Sequence, residues 1–559
     1  MTARTNVGWT WRTGLLLGWV IAIAGCPAPP PQQTELETQQ ATPEAALPLA
    51  ARSAPGSLDD RIADYHRRLH ECLPGDDLGE DLYLGWMLEP YERATLAVAL
   101  KAVAVLEREQ HLRQKGVGNL SAERTAAISA WLDHALAGGP GPVAIGFQPT
   151  RIQPATDLAG AVGEPAYFTF ADRASFTAQD RTLGDLDLLA SAGFRWYAWD
   201  AATALTSAGT VRRARAQSMG CALLEAPARF RGERRAPAGS ADLALQPLTL
   251  AQMFVGNLPD GVPAVIDLPD GEDLVGMLAR RQLMRGVTSP RPFAAIGVDA
   301  GGPTPQEAAA RVRAAMWLQA VAGQRIGVFE GWRDARDGTL TPYASRFAEP
   351  EYLEAVAHTA LDLLRFSPDV AALRTQPDAV IVLPEDFAVA GDRNQWSTAC
   401  VALLAEAHAS GRAFDIAPSV AAAEKRRYAL VIDVQPVSNV AMGQVVVADD
   451  AGRTRIACRV APTDIAAARV AGAAIANVLM GASEPPAGAS GSHWRGVIQR
   501  LSANGRTCLA VNCTPANTSF LVTGTGSGSD APWSDRLAGE QLDPGPIPLR
   551  PWQVRLLYR

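Results

Sequence analysis

The chain reads as an α/β protein: a (β/α)₈-like barrel, compact or degenerate, then a small doubly wound α/β domain, then an antiparallel β domain at the C-terminus. Three observations predict this order. Between about residues 143 and 332 short apolar runs alternate with helical patterns, and a second alternating block begins after Pro350. Beyond the Pro/Gly/Ser stretch at 483–492 the apolar pattern changes to period two. Runs of about 4–8 apolar residues bounded by turn signals are strands buried on both faces, the strand type of parallel sheets covered by helices.

Six runs in the first block each lead to a carboxylate. They are Tyr167–Phe170 before Asp172, Arg195–Trp199 before Asp200, Cys221–Leu224 before Glu225, Ala264–Ile266 before Asp267, Ala295–Val298 before Asp299 and Ile326–Phe329 before Glu330. With Val143–Phe147 they make seven strand-like runs in about 190 residues, where a barrel of this class takes about 250. Ligands of such barrels meet the carboxyl ends of the strands, so the pattern describes an acid-lined face. Asp and Glu are also common helix N-caps and strand-end residues, and that structural use is an alternative for most of the six.

The flanking elements follow from local signals. Arg4 and Arg12 precede the apolar run Leu15–Ile23, which closes on Ala24-Gly25-Cys26. That run is too short for about 30 Å of hydrocarbon and ends in small residues, as an export signal does. Residues 27–56 are Pro, Gln, Thr, Ala and Glu with few large apolar side chains, a spacer composition. Over 57–140 the pattern is helical: Ser57 and Asp60 form a capping-box start, Leu96–Leu106 has helical spacing, and a helix from about Ala122 runs to Gly138-Gly139-Pro140. The barrel occupies 141–349. Within it, Thr182 and Asp185 open a helix that stops at Gly193, and Thr304-Pro305-Gln306-Glu307 opens a second with Thr as N-cap and Pro at the first helical position.

The α/β domain spans 350–482. A helix at Glu351–Leu364 precedes the strand Ala379–Leu383, a helix at Ala399–Ala409 stops at Gly411, and strands follow at Phe414–Ile416 and Tyr428–Ile432. In the β domain, 493–559, Val497–Leu501, the turn Asn504-Gly505 and Cys508–Val511 read as a hairpin.

Composition narrows the chemistry. Net charge is −7 with no basic run, which argues against nucleic acid as a partner. The lysines are Lys101, Lys115 and Lys425, none after a strand-like run, which argues against Schiff-base and P-loop chemistry. There is no Cys-x-x-Cys, no Gly-x-Ser-x-Gly and no His-Glu-x-x-His. His66 and His70 stand four apart on a helix, without a third ligand at metal spacing, so no metal and no other cofactor is expected. Cys221, Cys458 and Cys508 sit inside apolar runs, where buried free thiols are expected. A Cys508–Cys513 bridge on one extended strand would exceed disulfide reach.

Two resemblances add to this. Ile23-Ala24-Gly25-Cys26 resembles the lipobox of bacterial lipoproteins, which implies a lipid on Cys26, a membrane anchor and an extracytoplasmic location. Pro27 after the cysteine, where the sorting signal for inner-membrane retention has Asp, implies the outer membrane. Trp317–Gly323 followed by Ile326–Arg333, Ala379–Pro384, Gly411–Pro418 and Leu549–Val554 resemble the β-galactosidases of glycoside hydrolase family 42, with their barrel, trimerisation domain and terminal β domain. This implies a glycan or oligosaccharide as partner and leaves a second copy of the chain open as another.

The resemblance and the strand ends together nominate Asp299 as nucleophile or base and Glu225 or Asp267 as acid. Glu330 and Asp200 would bind substrate, with Trp196, Trp199 or Trp332 stacking on a sugar ring. By alternation Trp196 and Trp199 fall on opposite faces of their strand, so one of them belongs to packing. Two positions depart from the family. The chain has no Asn-Glu dipeptide, the pair that carries the acid/base there, and Asp299 stands at the strand where the family has its nucleophilic Glu. The residues therefore leave two functions open: a glycosidase, or a carbohydrate-binding or scaffold lipoprotein that does not cleave.

Overall fold

The structure, a computed structural model, describes residues 57–72, 90–116, 120–137, 165–170, 196–200, 222–226, 274–285, 293–296, 304–322, 325–331, 349–374, 377–388, 397–410, 412–426, 428–438, 444–450, 453–479, 496–522 and 532–559. From Gly56 to Arg559 the chain is one compact unit. The expected strands at Val143–Phe147 and Ala264–Ile266, the helix after Thr182, and the export signal with Cys26 lie outside the described residues.

The N-terminal segment is three helices, α1 (Leu58–Cys72), α2 (Pro90–Gln114) and α3 (Ala122–Ala135). The start of α1 is a capping box: Asp60 N–H donates to Ser57 Oγ at 3.3 Å, and Ser57 N–H donates to Asp60 Oδ2 at 2.9 Å. Each bond satisfies an amide that the helix itself leaves open. Ser121 caps α3 by accepting from Arg124 N–H.

The first sheet contains β1 (Pro165–Phe170), β2 (Trp196–Asp200), β3 (Ala222–Ala226), β4 (Phe293–Ile296) and β5 (Arg325–Gly331), all parallel, in the order β3-β2-β1-β5-β4. Among the described residues the first strand, β1, lies at the centre of the sheet, between β2 and β5. Among the described residues the sheet is open between β3 and β4. Helices α4 (Leu274–Arg285) and α5 (Pro305–Val321) precede β4 and β5. Thr304 caps α5 by accepting from Glu307 N–H at 3.2 Å, with Pro305 at the first turn.

Next come α6 (Pro350–Arg365) and α7 (Ser367–Leu373), then the second sheet. Its strands are β6 (Ala379–Val382), β7 (Asp415–Ala417), β8 (Leu430–Pro436), β9 (Gln444–Asp450) and β10 (Arg453–Val460), with helices α8 (Glu385–Ala388), α9 (Thr398–His408), α10 (Val420–Glu424) and α11 (Ile465–Leu479). The order is β7-β6-β8-β10-β9, parallel except for the edge strand β9. Period two divides β6 between two cores. Ala379 and Ile381 pack under α4, α9 and α11, while Val380 and Val382 pack with Ala417, Ala423 and Tyr428. The β9–β10 hairpin and α11 extend the domain beyond the strands read from sequence.

The C-terminal sheet joins β11 (Val497–Leu501), β12 (Thr507–Asn512), β14 (Trp533–Asp535), β15 (Glu540–Leu542) and β17 (Val554–Tyr558), with β13 (Thr518–Phe520) and β16 (Ile547–Leu549) forming a separate pair. The expected hairpin is present: Leu501 pairs with Cys508, and Gly505 takes φ +69° in the turn, a conformation that glycine adopts without a Cβ penalty. Alternation on β12 builds two cores. Cys508 and Ala510 face Phe520, Ile547 and Leu549, while Leu509 and Val511 join a core that continues through α5, α6 and the N-terminal helices. Trp552 ties this sheet to α5: its indole N–H donates to Glu307 Oε1 at 3.2 Å, and the Arg311 guanidinium lies 4.9 Å from its ring centre.

Candidate functional site

The parallel register places four of the nominated residues at one end of the first sheet. Glu225 of β3 pairs with Trp199 of β2. Phe168 of β1 pairs with Ala198, so Thr169 stands beside Trp199, and Thr169 pairs with Glu330 of β5. Glu225, Trp199, Thr169 and Glu330 thus form one row across four strands. Asp200 lies one position further, paired with Ala226. Trp196 is in register with Ala166 and Ala222, at the other end of β2. Asp267, Asp299 and Trp332 lie outside the described residues, as does Asp172.

A second polar cluster, which the apolar and strand-end patterns do not reveal, lies where α2 and α3 pack on α6. Tyr91 donates to Asp362 Oδ1 at 2.7 Å, and Arg313 of α5 donates to Asp362 Oδ2 at 3.0 Å. Thr95 Oγ1 donates to Glu354 Oε1 at 2.9 Å and lies 3.0 Å from His358 Nε2. The Trp131 indole donates to Glu354 Oε2 at 3.2 Å, and Arg124 pairs with Glu349 at 2.6 Å. The sequence carries a signal for it, since Glu354, His358 and Asp362 are spaced i, i+4, i+8 and so share one helix face.

Burial dominates the electrostatics of this cluster. Desolvation pushes the Asp362 carboxyl upward against the pull of Arg313, and pushes the Tyr91 phenol upward with Asp362 adding to it. It lowers His358 below the ordinary imidazole range although Glu354 and Asp362 favour the cation. The carboxylates and the donating atoms named have partners within the protein, although Arg313 Nε is buried without one, and these bonds join the helices.

The other nominated groups are ordinary. The nearer nitrogen of His66 is 2.7 Å from Glu107 at the surface, and among the described residues no three His, Cys, Asp or Glu converge to hold a metal ion. Cys458 and Cys508 are buried free thiols pushed up to about 12 by desolvation, too high for a nucleophile. Cys513 is also free. Among the described residues no helix is long and apolar enough to cross a membrane.

No family model and no curated protein matches the chain. Among solved structures it is similar to the apo exo-carrageenase GH42 from Bacteroides ovatus, at 14% identity and a TM-score of 0.35 over 51% of this chain and 44% of that one. It is also similar to the cold-adapted β-galactosidase from Rahnella sp. R3, at 13% identity and a TM-score of 0.34 over 53% of this chain and 60% of that one. The chain spans less than two thirds of either structure, and both likenesses are distant.

Proposed function

We propose that this protein is a lipid-anchored, glycoside-hydrolase-like protein acting on an extracytoplasmic glycan, with a (β/α)₈-type barrel as its reactive domain. The observation that supports the reading is the row that Glu225 and Glu330 share at one end of a parallel sheet of five described strands. Three strand intervals of about 4.8 Å separate the two positions along the sheet, and barrel curvature shortens that span across the mouth. Glycoside cleavage needs one carboxyl group to donate a proton to the leaving oxygen and another to stabilise the oxocarbenium-like centre; in this row Glu225 is the proton donor, Glu330 holds a hydroxyl, and the second reacting carboxylate comes from another strand end.

In this mechanism Glu225 or Asp267 protonates the glycosidic oxygen and Asp299 attacks or stabilises the anomeric carbon. Glu330 and Asp200 hold hydroxyls, and Trp199, Trp196 or Trp332 stacks on the ring. The membrane anchor is the lipid on Cys26, and the outer membrane is the proposed site. A screen of aryl glycosides and oligosaccharides with the full chain tests the reading, with turnover expected. A second reading, glycan binding without cleavage, is favoured by the absence of an Asn-Glu dipeptide. Binding without turnover in the same screen would establish it, and neither binding nor turnover would remove both.

A further inference from the structure

His408 ends α9 and is wholly buried, against Arg500 of β11, itself 6% exposed. A guanidinium is a donor only, so the 3.4 Å contact from Arg500 Nη2 to His408 Nδ1 requires Nδ1 to accept. The ring is therefore the neutral Nε2–H tautomer, and Nε2 is buried with no hydrogen-bond partner. The Phe414 ring lies 4.8 Å away, the Gln282 amide of α4 is spent on the Phe414 carbonyl, and Asp415 is engaged by Tyr428 and Arg426. Among the described residues, Arg500 is the charge that acts on the imidazole.

We propose that His408 and Arg500 form an acid-sensitive latch between the second sheet's helical layer and the C-terminal sheet. The latch is closed by the neutral imidazole and opened by the imidazolium. A proton arriving from solvent takes the Nδ1 lone pair, so the bond from Arg500 is lost and two cations face each other in a buried junction. Separation of the two layers lets water reach both. Burial and the Arg500 charge both hold His408 well below the ordinary imidazole range, so the latch stays closed at neutral pH and yields in acid.

The experiment is hydrogen exchange of the full chain, corrected for intrinsic rates, from about pH 7 to about pH 5. In the wild type, protection at 398–408 and 497–501 is expected to fall at least about tenfold more than protection at α1. In His408→Gln and in His408→Phe, neither of which can take up the proton, the loss at those segments should shrink to about twofold or less. Loss of protection in both variants equal to the wild type, no loss in the wild type, or loss shared equally by α1 would each overturn the proposal.

Discussion

The Tyr91 hydroxyl donates a 2.7 Å hydrogen bond to Asp362, joining the first turn of α2 to the last turn of α6 across 271 residues of chain. Arg313 satisfies the other carboxylate oxygen, so the junction holds a buried charge with both oxygens partnered. Tyr91→Phe removes one donor and leaves a lone pair of that carboxylate unpaired in a dry site. A hydrogen bond to a charged group contributes about 1.5–3 kcal/mol, and the expected loss in unfolding free energy is of that size. A urea midpoint unchanged by Tyr91→Phe, with the slope also unchanged, would show that the bond contributes nothing.

The same helix makes stability depend on pH through His358. Its folded pKa lies below the ordinary value of about 6.5, with burial as the main cause. The unfolded chain then binds more protons than the native state below that pH. The stabilising contribution is present above about pH 6.5 and is lost as pH falls toward the folded value. His358→Gln should therefore flatten the fall of stability on acidification. His408 has the same sign, so each single variant should remove only part of the slope; a His358→Gln curve parallel to the wild type would exclude His358 as a contributor.

Gly472 sets how closely α11 approaches α9. A Cβ built there would fall 2.8 Å from Glu406 Cβ and would clash with the Leu403 carbonyl oxygen, which is backbone and cannot swing away. Gly472→Ala gains helix propensity of about 1 kcal/mol, yet overpacking typically costs about 1–3 kcal/mol, so the net change is expected to be destabilising. A stabilised Gly472→Ala in thermal unfolding would mean that the helices separate freely.

Local chemistry was legible and long-range chemistry was not. Ser57 with Asp60, Thr304 with Glu307, and Asn504-Gly505 act within three residues of themselves, so a reading of neighbours finds them. The alternation of Cys508, Leu509, Ala510 and Val511 shows which residues share a face, but not that both faces would be buried. His408 and Arg500 are 92 positions apart, and nothing near either residue announces the other. The stripe Glu354, His358, Asp362 was visible as spacing, but its partners Tyr91, Thr95 and Arg313 come from two other helices. At the strand ends the order of acids was legible; their register depended on strand pairing, which periodicity alone does not give.

The proposed anchor is separable from folding. Cys26 would carry all the lipid, so Cys26→Ser should move the protein from the membrane fraction to the soluble fraction while leaving its thermal unfolding unchanged. Sedimentation of the variant with membranes after a high-salt wash would refute the lipoprotein reading.

The strand-end acids give the sharpest test of function. Asp299→Asn keeps the side-chain size and removes the charge that would attack or stabilise the anomeric centre, so kcat should fall at least about 10³-fold, roughly 4 kcal/mol of transition-state stabilisation. Unfolding should barely shift, since one oxygen is exchanged for a nitrogen of similar size. Glu225→Gln should depress turnover most for substrates with poor leaving groups, because a good leaving group departs without a proton from the acid. Glu330→Gln should raise KM as well as lower kcat, because its proposed partner is a hydroxyl that substrate and transition state both present. Turnover unchanged by Asp299→Asn would reject that residue and leave the carboxylate row of Glu225 and Glu330 as the remaining candidate. Turnover unchanged in all three variants would place the chemistry elsewhere.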